Sequence, residues 1–456
     1  MVFLKRKRFI FWLIRAYIKK WGKTIGLSFI AGLAIVLLLF FNRHFLLSRF
    51  SFNNHENIGM AGIYAKQDLP NNLPDPILTK LSRGLTKVSD DGRVLPDVAD
   101  KWEIKDDGKT FIFYIKPNTY YADGKIVDST NIDYNFEDVT IERPAKSVIV
   151  FKLKDKYSPF LVTLANHKIF EKNLTGISDY KMSKLKANGG FIESMEIYSK
   201  SERKTITYNF YVSQQALKNA YVLGEVSQIL DINSPNYMDK GNLANFKNTT
   251  LSKRTNYSKI VTVFFNNSDP LLSDKKLRKA LDYSLPAKFS EGQVTHTPYG
   301  PNFWASKDLD VATKNIDDAR TMLKESEASS SSSLKIDLKT LPQYRLLAQE
   351  IAKSWEKLGV KTTIEVTDGV PTFYQAFLGE LPVLKDPDQY TLWHTAQQNN
   401  ITNYKNLRID KLLEDGRRTY DLNQRKTIYL DFQKYLIDDM PAAFLFFPYT
   451  YNVTRK

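Results

Sequence analysis

The side chains best suited to chemistry are densest between Asp386 and His394, where the chain reads DPDQYTLWH. Asp386 and Asp388 offer carboxylates able to hold a cation such as an ammonium. Tyr390 and Trp393 add stacking area with a polar edge, and His394 stands beside them. The same carboxylates also suit a helix-capping turn, with Pro387 at the first helical position. Two outlying residues join this candidate set. Asn266 ends the short apolar strand VTVFFN, where it could touch a ligand or satisfy backbone. Trp304 lies in TPYGPNFWA with Tyr299 and Pro301, a loop that either lines a cleft or packs.

Catalytic and metal chemistry find little footing. The chain has no cysteine, which excludes disulfides, thiolate metal sites, a Cys nucleophile and a lipid-modified N-terminal Cys. Its five histidines, at 44, 55, 167, 296 and 394, lack metal-ligand spacing, so neither a metal nor another cofactor is expected. There is no G-x-S-x-G, H-E-x-x-H or P-loop motif, and acidic pairs such as Asp106-Asp107 fall in predicted turns. A binding protein with no catalytic residue is the expectation. A wall-active hydrolase with dispersed paired carboxylates is the competing class.

The segments that must position these residues begin with a basic N-terminus. The first 55 residues hold ten Lys or Arg and no Asp or Glu, and enclose the apolar run Thr24 to Phe41. Crossing the hydrocarbon core takes about 20 residues, so this run is a short but sufficient membrane helix with Trp21 and flanking cations at its edge. After Phe41 the chain reads NRHFLLSRFSF, without the small-x-small site of a cleaved signal peptide. Eight basic residues precede the run, which places the N-terminus in the cytoplasm and the rest outside. The segment before it suits anionic inner-leaflet lipids. Setting those ten cations aside from the 65 leaves 55 Lys and Arg against 50 Asp and Glu, interleaved as in KWEIKDDGK. That is a solvated surface, so no nucleic-acid partner is expected.

From Ile58 the pattern becomes globular. Asp91-Gly92, Asp107-Gly108 and Asp123-Gly124 recur every 16 residues between strand-like stretches, which predicts a meander of hairpins over 85–127. In TFIFYIK, Phe111, Phe113 and Ile115 share one face. Strands are predicted at Val148 to Leu153, Ser194 to Ser199 and Thr205 to Val212. The character then changes: VTVFFN at Val261 is followed by an amphipathic helix from Asp274 and a second helix around Ile316. A surface loop is expected at the serine run 329–333. LKIDLKTL, a helix carrying Leu347, Ile351, Trp355 and Leu358, Gly359 and VKTTIEV together predict a βαβ unit.

Several of these segments, in order, resemble the family 5 extracytoplasmic solute-binding proteins, the dipeptide, oligopeptide and nickel receptors of ABC importers. They are GLTKVSDDGRVLPDVADKWEIKDDGKTFIFYIKPNTYYADGK at Gly84 to Lys125, VFFNNSDPLLSDKKLRKALDYSL at Val263 to Leu285, DPDQYTLWHTAQQNNITNYKN, and GRRTYDLNQRKTIYLDFQKYLIDDMP ending at Pro441. The resemblance implies an α/β, two-lobe periplasmic-binding-protein-like clamp of the large peptide-binding class (type II), here preceded by one transmembrane helix. The expected organisation is a cytoplasmic basic segment 1–23, a membrane helix 24–41 and a tether 42–57. Lobe I is strand-rich and takes 58–260 with 441–456, and lobe II is α/β and takes 261–440. Between Tyr134 and Pro144 the chain is shorter than the family pattern, so part of lobe I is trimmed.

The same resemblance implies a short peptide ligand between the lobes, ABC permease subunits as membrane partners and the bilayer around 24–41. A sensor built on the same clamp would carry the same residues. The implied ligand-binding set is Asp386, Asp388, Tyr390, Trp393, His394, Asn266 and Trp304. The family's peptide receptors often carry an acid shortly before Asp-Pro-Asp to anchor the ligand's α-ammonium. Here that neighbourhood is Pro382, Val383, Leu384 and Lys385, and the nearest upstream acid is Glu380. Weak dependence on the ligand's amino terminus is therefore expected. Arg278, Arg425 and Tyr429 match family helix positions with a structural role.

Overall fold

A computed structural model describes residues 11–12, 15–24, 27–28, 32, 54–238, 241–307, 314–330 and 334–456. The chain divides into two units, Met1–His55 with Ser201–Thr205, and Glu56–Lys200 with Ile206–Lys456. In the first, the described N-terminal residues up to Gly32 are helical. Of the expected membrane helix only Thr24, Leu27, Ser28 and Gly32 are described, and the rest lies outside the described residues. Among those described, no helix is long and apolar enough to cross a membrane. The expected tether also lies mostly outside them. Its last residues open the strand Asn54–Ala61, where Asn57 bonds Glu225 O and receives Ser227 N.

In the second unit the Asp-Gly pairs act as their spacing predicts. Asp91-Gly92 turns between Thr86–Val88 and Val94–Pro96, and Asp107-Gly108 between Ala99–Lys105 and Thr110–Ile115. Asp123-Gly124 closes the Tyr120 to Ile126 bridge. All three glycines have φ between +84° and +93°, which favours a residue without Cβ. Ala99–Lys105, Thr110–Ile115, Val148–Leu153 and Val139–Ala145 form a four-stranded antiparallel sheet in that order. Phe111, Phe113 and Ile115 are buried in its core, as their alternation requires.

The larger sheet has twelve strands and runs through both lobes on one strand, Ala442–Arg455. Its first half pairs antiparallel with Lys259–Phe265, placing Val261 opposite Phe446. Its second half pairs with Gln228–Ile232 and Thr249–Thr255, placing Tyr451 opposite Ile232 and Tyr449 opposite Thr255. The expected return to lobe I at Pro441 is therefore corrected to the neighbourhood of Pro448. The apolar run AAFLFF is buried throughout and belongs to the lobe II sheet. Pro448, without an N–H for the ladder, marks the change.

Lobe II is a layered α/β body. Lys335–Thr340 and Lys361–Val366 pair in parallel around the helix Arg345–Glu356, and Gly359 leaves that helix at φ +80°. Along Lys259–Phe265 alternate residues enter different cores. Val261, Val263 and Phe265 meet Leu277, Leu281 and Trp355, whereas Ile260 and Phe264 join Trp393, Phe432 and Leu436. A strand buried on both faces needs helices on both sides, and its continuous apolar sequence reflects that. Of the serine run, 331–333 lies outside the described residues, and Glu327–Ser330 is a short 3-10 turn.

Buried Arg278 joins two helices of this lobe. Its guanidinium donates to Met440 O at 2.9 Å, Asp439 O at 2.6 Å, and Leu272 O and Ser273 O at 2.8 Å each. It thereby occupies carbonyls at the C-terminus of Leu422–Asp439, which an α-helix cannot satisfy internally. Replacing Arg278 by Met keeps the apolar stem and removes the donors. Urea unfolding of Arg278→Met should show a loss of about 3 kcal/mol, the scale of charged hydrogen bonds lost in a buried site. A change within experimental scatter would mean that water takes over the carbonyls.

Candidate ligand cleft

The two hinge connections, around Tyr257 and Pro448, floor the space between the lobes. Val383 N–H donates to Ser258 O at 2.8 Å, and the Tyr257 hydroxyl donates to Gln293 Oε1 at 2.8 Å. The Tyr257 ring stands edge-on to Phe447 at 5.2 Å. Above this floor lies a cavity of about 910 Å³, walled by residues 88–92 of lobe I and by 300–303 and 383–385 of lobe II. A second cavity of about 550 Å³ adjoins it through Asp91, Gln293 and the 300–303 loop, and reaches Arg93, His296 and Lys426.

The lobes meet at the Asp91-Gly92 turn. Trp304 N–H donates to Asp91 O at 2.9 Å, and Phe303 lies so close to Gly92 that a side chain there would collide with its ring. Phe303 stacks on buried Tyr299 at 5.5 Å, and the Tyr299 hydroxyl donates to Pro387 O at 3.1 Å. Hydrogen bonding by Ser89, helped by Arg93, holds the Asp91 carboxyl below its usual range. A second contact involves the smaller lobe I sheet. Ser158 donates through N–H and Oγ to Arg417 O and Gly416 O at 2.7 and 3.0 Å. The Tyr420 hydroxyl donates to Gly108 O at 2.7 Å and accepts Tyr157 N–H at 3.0 Å.

The predicted site residues are divided by this arrangement. Asp386 is buried, takes a two-point contact from Arg425 at 2.6 and 3.0 Å, and caps the turn through Asp388 N at 2.9 Å. Asp388 pairs with Arg417 at 2.9 Å and accepts Tyr390 N–H at 3.0 Å. Burial pushes its carboxyl above the ordinary value, against the pull of Arg417. Tyr390 stacks on His394 at 4.2 Å, with the Arg417 guanidinium 4.2 Å from its ring centre. His394 is itself buried, 3.4 Å from Glu414.

Trp393 is 1% exposed, in the core beside Phe444, and its indole N–H donates to Gln389 at 2.7 Å. Its face is covered by protein, so the expected stacking on a ligand has no open surface here. Asn266 serves backbone: it donates to Tyr374 O at 3.0 Å and accepts Ser268 N–H at 3.1 Å. Trp304 and Asp386 do line a cavity. Glu380 is engaged by Lys259 at 2.8 Å and by the Tyr344 hydroxyl at 2.6 Å. Asp90 and Arg93, on either side of the Asp91-Gly92 turn and outside the predicted set, both face a cavity. Asp90 is exposed and has no ion-pair partner among the described residues.

Residues 93–401 match the family model described as bacterial extracellular solute-binding proteins, family 5 Middle. The probable D,D-dipeptide-binding periplasmic protein DdpA of Escherichia coli is 22% identical, over 77% of this chain and 78% of its own. The oligopeptide-binding protein AppA from Bacillus subtilis, solved with a nonapeptide, superposes with a TM-score of 0.66 at 19% identity, covering 88% of this chain and 95% of that one. NikZ from Campylobacter jejuni, solved with Ni(L-His), superposes with a TM-score of 0.70 at 18% identity, covering 88% and 94%.

His296, on the wall of the smaller cavity, gives the cleft a pH signature. Burial, with Lys314 nearby, lowers its pKa below the usual 6.5, and Nδ1 is buried without a hydrogen-bond partner among the described residues. Below about pH 6.5 the unfolded chain takes up a proton that the folded chain resists, so stability falls as the pH drops through that value. Urea unfolding at pH 7, 6 and 5 should show a steeper acid loss for the natural chain than for His296→Gln. Parallel curves would mean that the imidazole titrates as in water.

Proposed function

The chain belongs to family 5 of the bacterial extracellular solute-binding proteins, and on that premise we propose that it captures a short peptide between its lobes and hands it on unchanged to an ABC permease. Members of this family bind rather than transform their solutes, which sets aside the hydrolase alternative. The observation that carries the reading is the cavity of about 910 Å³ between the lobes, floored by the hinge. Ligand sites favour such domain boundaries, and this volume lies within the common range of roughly 300–1,000 Å³. The peptide ligands of DdpA and AppA favour the same solute class. Among the described residues no group of three or more His, Cys, Asp or Glu could hold a metal ion.

The grip on the peptide rests on its backbone. Around the cleft, Glu380, Asp386 and Asp388 are each held by a cation of the chain itself, and Lys385 pairs with Asp75 at 3.0 Å. None is free to receive an α-ammonium without breaking its pair. Calorimetry with one peptide, free and N-acetylated, should give affinities within about threefold, or about 0.6 kcal/mol. A large loss on acetylation that vanishes in Asp90→Asn would place the amine on Asp90 and overturn this grip. Failure of every peptide in a diverse library to bind would remove the solute class itself.

The membrane arrangement extends the proposal. Thr24 to Phe41 anchors the chain as a single-pass helix, with the basic segment before it in the cytoplasm and the two lobes outside. Its support is the run of 18 residues free of charge and the eight cations ahead of it. Protease added to intact cells or protoplasts should digest the chain beyond residue 57. Protection of that region would reverse the topology.

A further inference from the structure

A third cavity, of about 320 Å³, lies beside the cleft between the smaller lobe I sheet and the lobe II helices. Its walls include Leu95, Trp102 and Ile104 from lobe I and Trp304, Tyr420 and Leu422 from lobe II. Gly92 lines both this cavity and the one of about 910 Å³, while Arg93 and Trp304 line both this and the one of about 550 Å³. Leu95, Ile104 and Leu422 are 41%, 38% and 56% exposed, so three aliphatic side chains surround one cavity with part of their surface uncovered.

The polar groups at the margin have partners. Asp386 and Arg425 neutralise one another in a two-point pair, and the Arg425 Nε–H donates to Gly416 O at 3.0 Å. Arg93 is paired with Asp91 at 3.3 Å. Tyr420 is committed to Gly108 and Tyr157 across the lobe boundary. The walls are also held in place. Trp102 packs on Phe113 at 6.2 Å, and Trp304 on Phe303 at 6.2 Å with Arg425 5.8 Å from its ring centre. An apolar cavity of roughly 150 Å³ already accepts a benzene molecule, so this one has room for a phenyl or indole group.

We propose that this cavity is a side-chain pocket which selects peptides carrying one large apolar residue, with Trp102 and Trp304 among its walls. The assignment rests on the peptide reading and adds the chemistry of the side chain. A charged side chain would leave water there and meet cations and anions that already hold each other. A phenyl or indole group would instead cover Leu95, Ile104 and Leu422 together. Removing such a ring from water favours binding by roughly tenfold or more over a methyl group.

The test uses the full-length protein and tetra-alanine peptides in which Phe or Asp replaces each Ala in turn, with affinities read by calorimetry. At one position Phe should bind about tenfold or more tighter than Ala, and Asp no tighter than Ala. The Phe-to-Ala ratio at that position should fall towards one in Leu422→Trp, which fills the cavity from an exposed wall position. Leu407→Trp, at an exposed leucine that does not line the cavity, should keep the ratio. Peptides that bind without any preference for Phe would overturn the pocket and leave the peptide reading standing. A Phe preference untouched by Leu422→Trp would place apolar selection elsewhere and overturn the assignment. If no peptide binds, both fall.

Discussion

One backbone segment, Ala442–Arg455, is hydrogen-bonded into both lobes, and the geometry of the clamp depends on it. The shared strand resists sliding of one lobe past the other, because sliding would break ladders on both sides of the hinge. Bending is far less costly. At Pro448 the ladder lacks a donor, and the parallel connection through Asn256 is tied to it by one bond, Asn256 N–H to Pro448 O at 2.8 Å. Motion is thereby channelled into rotation about the cleft floor, the hinge type of domain movement. Tyr257 and Phe447 sit beside that axis with their rings edge to face.

Charge in the cleft is organised by the same economy of contacts. Asp386 with Arg425 and Asp388 with Arg417 connect the Asp-Pro-Asp turn to the helices Leu407–Arg418 and Leu422–Asp439. A buried ion pair recovers its desolvation cost only with good geometry and additional hydrogen bonds, which both acids find on neighbouring N–H groups. Breaking one member would strand the other in a poorly hydrated wall. The acids most conspicuous in the sequence therefore serve as struts, and the exposed ones belong to the turn of the opposite lobe.

Much of the architecture was legible in one dimension because it rests on local rules. Three Asp-Gly pairs implied three turns with positive φ, and helix-spaced apolar residues between two strands implied the βαβ unit. The two-sided burial of Lys259–Phe265 was implicit in VTVFFN. The candidate site was less legible, since residue types reveal chemistry but not direction. DPDQYTLWH carries the right groups for holding a ligand, yet Trp393 turns into the core and the two Asp turn towards arginines 29 and 39 residues further along. Conversely, Asp90 and Arg93 read as an ordinary hairpin, because nothing local shows that the hairpin faces another lobe. The boundary at Pro441 moved for a similar reason: a strand that serves two sheets has no break in its own sequence to mark the exchange.

The placement of the tryptophans has an optical consequence. Trp102 and Trp304 stand on opposite lobes around a single cavity, and Trp304 holds the other lobe through its backbone N–H. Rotation about the hinge changes the water around both indoles together. Trp355 and Trp393 are sealed in the two cores of lobe II and are blind to that rotation. Of the six tryptophans, Trp102 and Trp304 thus form an intrinsic gauge of closure, Trp355 and Trp393 supply a constant background, and Trp12 and Trp21 belong to the N-terminal unit.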